Sequence, residues 1–126
     1  MQNQPSAPVF LNLLRIRFPV GAVTSIAHRL SGLLLFLSFP PLVYWLDLSM
    51  RDAAGFAEAR EWLDCGWVRL ASVVLVWSLV HHLLAGIRFL LIDIGIGVER
   101  LPARRSAWVV NSLALLLSLV YLGWIV

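Results

Sequence analysis

One histidine of the sequence, His82, lies in an apolar stretch with a small residue one helical turn away on each side. These neighbours are Ser78 and Gly86, and Phe89 and Asp93 continue the same stripe of a helix. Small residues leave room beside the backbone for a flat ligand, and a neutral imidazole is a good ligand for haem iron. The same pattern also fits ordinary packing, in which a histidine hydrogen-bonds a neighbouring helix.

A second polar group opens an earlier apolar segment. Ser25 and Arg29 are four residues apart and share one face of a helix, and His28 is also within reach of Ser25. A hydroxyl beside a guanidinium can bind the carbonyl or developing oxyanion of a small ligand, or a haem carboxylate. The alternative is a helix start whose Arg29 extends to lipid phosphates. We interpret Ser31 and Gly32, one turn later, as close helix packing.

Ionisable groups inside an apolar segment are costly and by default mark functional positions. His81 points about 100° away from its neighbour His82, on a stripe with Trp77, Ala85 and Arg88, and we expect packing or a polar contact there. Arg88 and Asp93 end the same segment.

The composition assigns these residues to an all-α membrane protein. Of the 126 residues, 60% are hydrophobic and 13% are charged, against roughly 45–50% and about 25% in soluble domains. Ordinary soluble domains and disordered chains are therefore excluded. Since a helical span needs about 20 apolar residues, three spans fit. That number is too small for most transporters and favours a subunit of a larger assembly.

The hydropathy pattern divides this single membrane domain into three spans and three polar segments. The predicted spans are residues 23–46, 67–93 and 107–126, and the polar segments are residues 1–22, 47–66 and 94–106. A short helix is predicted at residues 53–63. The single cysteine, Cys65, excludes an internal disulfide and an iron–sulfur cluster held by this chain alone, and we assign it no role.

The distribution of charge predicts the orientation. Five carboxylates accompany two arginines in residues 47–66, whereas three arginines accompany one glutamate in residues 94–106. The positive-inside rule places residues 1–22 and 94–106 in the cytoplasm, and the first connection and the C-terminus in the periplasm. Residues 1–8 match no signal or transit peptide, so we expect a bacterial inner (cytoplasmic) membrane. The ten basic residues are all arginines that flank apolar segments, which indicates the lipid bilayer and no nucleic acid.

Two motifs in this order resemble the cytochrome b subunit of succinate dehydrogenase. Residues 25–32 read SIAHRLSG, which matches the family pattern S-x-x-H-R-x-S-G. Residues 82–88 read HLLAGIR and match H-x-x-x-G-x-R, with the downstream aspartate at Asp93. Length, three spans and spacing agree with this family over nearly the whole chain.

The resemblance implies one of two membrane anchors that pair into a helical bundle and hold a flavoprotein and an iron–sulfur subunit. It implies a haem b shared with the second anchor subunit, which supplies the other ligand, and ubiquinone or menaquinone as substrate. Electrons from succinate would pass through flavin and iron–sulfur clusters to quinone. Succinate oxidation itself is then expected in the partner subunits, and no residue of this chain is catalytic.

The resemblance also assigns roles residue by residue. The residue that matches the axial haem ligand is His82. Those matching the quinone site are Ser25 and Arg29, and Arg29 with His28 would contact the haem propionates. For Arg88 and Asp93 we expect a role in proton access or, preferably, a structural one.

Two features depart from the family pattern. Many members have a histidine where this chain has Phe89, and the S-P-H-x-x-x-Y opening is replaced by residues 12–19. Any polar contact made from these positions cannot be transferred. The sequence leaves open a quinol:fumarate reductase anchor and an anchor without haem. A small channel is disfavoured, because the third span has few polar residues.

Overall fold

The computed structural model describes residues 17–126, whose regular structure consists of four helices. They are α1 (Val20–Arg51), α2 (Ala53–Asp64), α3 (Gly66–Asp93) and α4 (Arg100–Ile125). Residues 1–16, most of the predicted segment 1–22, lie outside the described residues. The short helix predicted at residues 53–63 is confirmed as α2.

Three of the helices, α1, α3 and α4, are long and apolar enough to cross a membrane. The shortest, α4, has 26 residues and at 1.5 Å per residue reaches about 39 Å, more than the hydrocarbon core of about 30 Å. The all-α class with three membrane-spanning helices is therefore confirmed. The first helix begins before and ends after the predicted span 23–46, and it continues through Pro40 and Pro41.

Small side chains join the helices of this bundle. The third helix packs against both α1 and α4, and α1 and α4 also touch each other. Three alanines, Ala85, Ala107 and Ala114, have no exposed surface, whereas most large apolar side chains face outward. Since a lipid environment gives apolar side chains no reason to turn inward, close backbone approach at small residues is the expected way for membrane helices to associate.

The second helix folds back against the end of α1. The Asp52 carboxylate accepts a hydrogen bond from the backbone N–H of Gly55 at 2.7 Å and caps the start of α2. The Trp45 indole donates to the Ala59 carbonyl oxygen at 2.9 Å and joins the two helices. At the opposite end of the bundle, the start of α1, the end of α3 and the start of α4 come together. All the candidate functional residues lie toward that end.

Candidate functional site

The imidazole of His82 is held against α1 by its Nδ1 atom. Nδ1 lies 3.1 Å from the His28 carbonyl oxygen and 3.4 Å from Ser31 Oγ. The Ser31 hydroxyl itself donates to the same His28 carbonyl at 2.9 Å. Because a carbonyl oxygen can only accept, Nδ1 is the donor of this hydrogen bond. The other ring nitrogen, Nε2, has no hydrogen bond to any residue in the described range 17–126.

The contact between His82 and α1 depends on a glycine. A Cβ atom at Gly32 would lie 2.8 Å from His82 Cε1, a separation that side chains essentially do not show. Ser31, the preceding residue, is fully buried. The close packing predicted at Ser31 and Gly32 is therefore confirmed, and its partner is the candidate ligand itself.

The imidazole of His28 stacks on that of His82. The ring centroids are 4.1 Å apart and the planes differ by 7°. The edge of Phe89 packs against His28 with centroids 5.3 Å apart. A Cβ at Gly86 would lie 3.6 Å from His28 Nε2, an ordinary contact. The room beside Gly86 thus holds a flat imidazole, and Phe89 occupies an apolar position next to it.

The other two predicted ligand-binding residues lie on α1 at the same end of the bundle. Ser25 is half-buried and Arg29 is exposed. Neither side chain hydrogen-bonds another residue within positions 17–126. Their hydroxyl and guanidinium groups are therefore available to groups beyond the helices of this chain.

Arg88 forms a junction between α3 and α4 and does not pair with Asp93. Its Nε donates to Ser106 Oγ at 3.0 Å and its Nη2 donates to the Ala103 carbonyl at 2.9 Å. The side chain is 8% exposed, whereas Asp93 is exposed at the end of α3. This arrangement agrees with a structural role for Arg88, and it leaves the role of Asp93 a prediction.

A chain of hydrogen bonds that the sequence did not predict crosses the bundle. His81 Nε2 lies 3.1 Å from Asn111 Oδ1, and Asn111 Nδ2 donates to Thr24 Oγ1 at 3.0 Å. Thr24 in turn donates to the Val20 carbonyl at 3.0 Å. His81 is 1% exposed and Thr24 is fully buried. The polar contact expected for His81 is thus present, but its partners could not be identified without the rotation of each helix.

One imidazole among the described residues has the hydrogen bonding expected of a metal ligand. Within the part of the chain that the structure describes, no three histidine, cysteine or carboxylate side chains group as a metal site. One imidazole, that of His82, has an Nδ1 that donates to a carbonyl and an Nε2 without a hydrogen bond to residues 17–126. A hydrogen bond from the non-ligating nitrogen to a carbonyl is the usual arrangement for a metal-ligating histidine, because it orients the ring. The residues present therefore fit a single axial ligand of a haem iron.

Several known proteins that carry one and the same name are similar in sequence to this chain over most of its length. A Coxiella burnetii protein named succinate dehydrogenase cytochrome b556 subunit is 36% identical over 119 residues, covering 91% of this chain and 95% of the relative. A Paracoccus denitrificans protein of that name is 33% identical over 108 residues, or 83% and 81% of the two chains. One from Rickettsia typhi is 32% identical over 118 residues, or 94% and 90%.

The profile of one protein family covers almost the same part of the chain. This family is described as succinate dehydrogenase/fumarate reductase transmembrane subunit, and its profile matches residues 3–121. The resemblance indicated by the two motifs is therefore confirmed, and the chain belongs to the succinate dehydrogenase/fumarate reductase transmembrane subunit family.

Proposed function

We propose that this membrane subunit provides one axial ligand, His82, to a haem b that it shares with a second anchor subunit. The hydrogen bond from His82 Nδ1 to the His28 carbonyl at 3.1 Å carries the proposal. It fixes the ring orientation and leaves the Nε2 lone pair for iron. The name cytochrome b556 carried by the Coxiella burnetii and Paracoccus denitrificans relatives supports a haem of the b type.

The second axial ligand comes from the partner subunit. The chain has three histidines. One of the others, His81, is buried and bonded to Asn111, so it is directed into the bundle of this chain. The other, His28, lies flat on His82 instead of facing it across a space that a haem could fill. We assign His28, together with Arg29, to contacts with the haem propionates.

Ser25 and Arg29 bind the quinone, which is ubiquinone or menaquinone. The Ser25 hydroxyl donates a hydrogen bond to a quinone carbonyl oxygen. The permanently charged guanidinium of Arg29 stabilises the negative charge that this oxygen gains on reduction. When bound, the haem iron supplies a centre that takes up and releases single electrons. The residues of this chain therefore orient the quinone and balance its charge while electrons arrive from the flavoprotein through the iron–sulfur subunit.

The soluble subunits dock at the end of the bundle that holds these residues. Three arginines, Arg100, Arg104 and Arg105, lie at the start of α4 at this end. The positive-inside rule supports a cytoplasmic location for it, in the inner membrane of a bacterium, with the C-terminus in the periplasm. Succinate oxidation belongs to the partner subunits, and this chain anchors them.

A reduced-minus-oxidised visible spectrum of the purified complex tests the haem assignment. With the wild-type chain we expect a b-type band at about one haem per complex, the stoichiometry of a single bis-histidine site. The His82→Ala complex should lose this band, because the iron loses one axial ligand. As a matched control, Leu83→Ala alters the exposed neighbouring position and should retain it.

Two outcomes would count against the haem assignment. A full b-type band in the His82→Ala complex would remove His82 from the ligand set. A wild-type complex that retains its soluble subunits but has no haem band would leave an anchor without haem.

A further inference from the structure

The hydrogen-bonded chain of His81, Asn111 and Thr24 connects all three membrane-spanning helices. His81 lies on α3, Asn111 on α4 and Thr24 on α1. His81 Nε2 contacts Asn111 Oδ1 at 3.1 Å, and Asn111 Nδ2 donates to the Thr24 hydroxyl at 3.0 Å. The Thr24 hydroxyl has two acceptors within reach, the Val20 carbonyl at 3.0 Å and Asn111 Oδ1 at 3.3 Å. We name these three residues the interhelical triad. Two of them are almost or fully buried, so their polar atoms depend on these bonds.

Two residues of the interhelical triad directly precede residues of the candidate site. His81 precedes His82, and Thr24 precedes Ser25. Adjacent residues of a helix point about 100° apart. The direction of His81 toward α4 therefore determines the direction of His82, and the direction of Thr24 toward Asn111 determines that of Ser25.

Hydrogen bonds from His82 to the His28 carbonyl and from Arg88 to α4 also restrict rotation, but each joins only two helices. Within residues 17–126, only the interhelical triad links α1, α3 and α4 in one hydrogen-bonded chain. The buried apolar residues of α3 and α4 are small, namely Ala85, Ala107 and Ala114, together with Val110. Such smooth surfaces pack closely but give little resistance to rotation, whereas hydrogen bonds require a specific angle. His81 Nδ1 has no partner within residues 17–126. Within the described residues, Asn111 is therefore the one hydrogen-bond partner of the His81 imidazole.

We propose that the interhelical triad is a positioning element that sets the rotation of α1 and α3, and so aims His82 at the haem iron and Ser25 at the quinone. This inference rests on the proposed function. The triad residues touch neither haem nor quinone and act through the residues that follow them. Loss of the triad should change the geometry of haem ligation and of quinone binding while the haem is retained.

Two substitutions interrupt the triad with little change in volume. Thr24→Val removes the hydroxyl that accepts from Asn111, and Asn111→Leu removes both links. Thr24→Ser keeps the hydroxyl and is the conservative variant. Ser118→Ala is the matched control, because the buried Ser118 hydroxyl bonds only to Ala114 of its own helix, at 2.7 Å. It therefore removes a hydroxyl bond within one helix without touching the links between helices.

The purified whole complex of each variant is compared by the electron paramagnetic resonance of the oxidised haem and by quinone kinetics. In Thr24→Val and Asn111→Leu we expect haem to be retained and its resonance to shift, because the angle between the two imidazole planes changes. Their kcat/KM for quinone should fall by about 10-fold, the scale seen when residues that orient a ligand are lost. Thr24→Ser and Ser118→Ala should match the wild type in both measurements.

The outcomes separate this inference from the proposed function. If the wild-type complex contains haem but neither Thr24→Val nor Asn111→Leu moves the resonance or kcat/KM, the positioning role is refuted alone. An equal change in Ser118→Ala would also refute the positioning role, since the loss of any buried hydroxyl would then produce the same effect. A wild-type complex without haem contradicts the proposed function, and with it the positioning of His82.

Discussion

The absence of a side chain at Gly32 allows the His82 ring to lie against α1. The His82 ring rests on the backbone of α1, where a methyl group at Gly32 would come within 2.8 Å of Cε1. Since Nδ1 is bonded to the His28 carbonyl of that same helix, a displaced ring would also lose this hydrogen bond. The position of the His82 ring thus depends on Gly32 as well as on the hydrogen-bond partners of His82.

We expect Gly32→Ala to weaken haem binding by roughly 10-fold or more, as for other groups that orient a metal ligand. Its added methyl group should push the His82 ring away from α1. The measurement is the haem content of the complex after gel filtration, followed by titration of the haem-depleted complex with haem.

Two other glycines serve as controls for this substitution. A Cβ at Gly21 meets nothing within 4 Å, and one at Gly86 makes an ordinary contact at 3.6 Å. Gly21→Ala should bind haem as the wild type does, and Gly86→Ala should differ little. Equal haem content in Gly32→Ala and Gly21→Ala would contradict the proposed contact.

At the scale of the helices, the ends of α3 and α4 are joined by Arg88. Its guanidinium makes two hydrogen bonds across the junction, one to Ser106 and one to the Ala103 carbonyl. Charged donors give stronger hydrogen bonds than neutral ones, because the acceptor interacts with a full charge. This junction therefore stabilises the same end of the bundle that holds the candidate site.

We expect Arg88→Ala to destabilise the complex by about 2 kcal/mol, the usual magnitude for hydrogen bonds to a charged group. Ser106→Ala removes one neutral partner and should cost about 1 kcal/mol. The measurement is the thermal unfolding midpoint of the purified complex. The control is Arg60→Ala, which alters an exposed arginine of α2 at the other end of the bundle. Midpoints of Arg88→Ala and Arg60→Ala that coincide would show that the junction contributes no stability.

The positions of the helices along the sequence could be predicted, but the faces through which the helices contact one another could not. Three spans and the helix near residues 53–63 follow from hydropathy, which is read along one chain segment at a time. The rotation of α3 about its axis does not follow from hydropathy, because both His81 and His82 have small residues at helical spacing. The buried residues of α3 are His81, Ala85, Arg88 and Ser78. Ser78 therefore lies on the buried face, and the prediction that it leaves open space beside His82 is wrong.

The site was predicted in the same uneven way. The motifs identify His82, whose Nδ1 contact the structure describes, but neither Thr24 nor Asn111 is among the residues that the sequence marks as functional. Their partnership joins residues 87 positions apart. Only packing of α1 against α4 could bring them together, and a single sequence contains no signal of that packing.

At the scale of the whole molecule, the two ends of the bundle differ chemically. The end with the candidate site carries arginines at the start of α4, and the other end carries α2 with acidic residues such as Glu58 and Glu61. Because cytoplasmic segments are enriched in arginine and lysine, we expect α2 to lie on the periplasmic side.

Labelling of Cys65 tests this orientation. The chain has a single cysteine, and the structure places it, exposed, between α2 and α3. A membrane-impermeant maleimide should label it in spheroplasts, where the periplasmic face is accessible. A Cys65→Ser chain, which should stay unlabelled, provides the background. Labelling confined to inverted membrane vesicles would reverse the proposed orientation.

The small residues between the helices have a consequence for how this sequence can drift during evolution. In a soluble protein, large interior side chains are the positions that tolerate least change. Here the fully buried positions include Ala85, Ala107 and Ala114, while large residues such as Phe36 and Leu116 face outward. We therefore expect exchange among bulky apolar residues to be nearly neutral where they face lipid, and a single added methyl group between helices to be eliminated by selection.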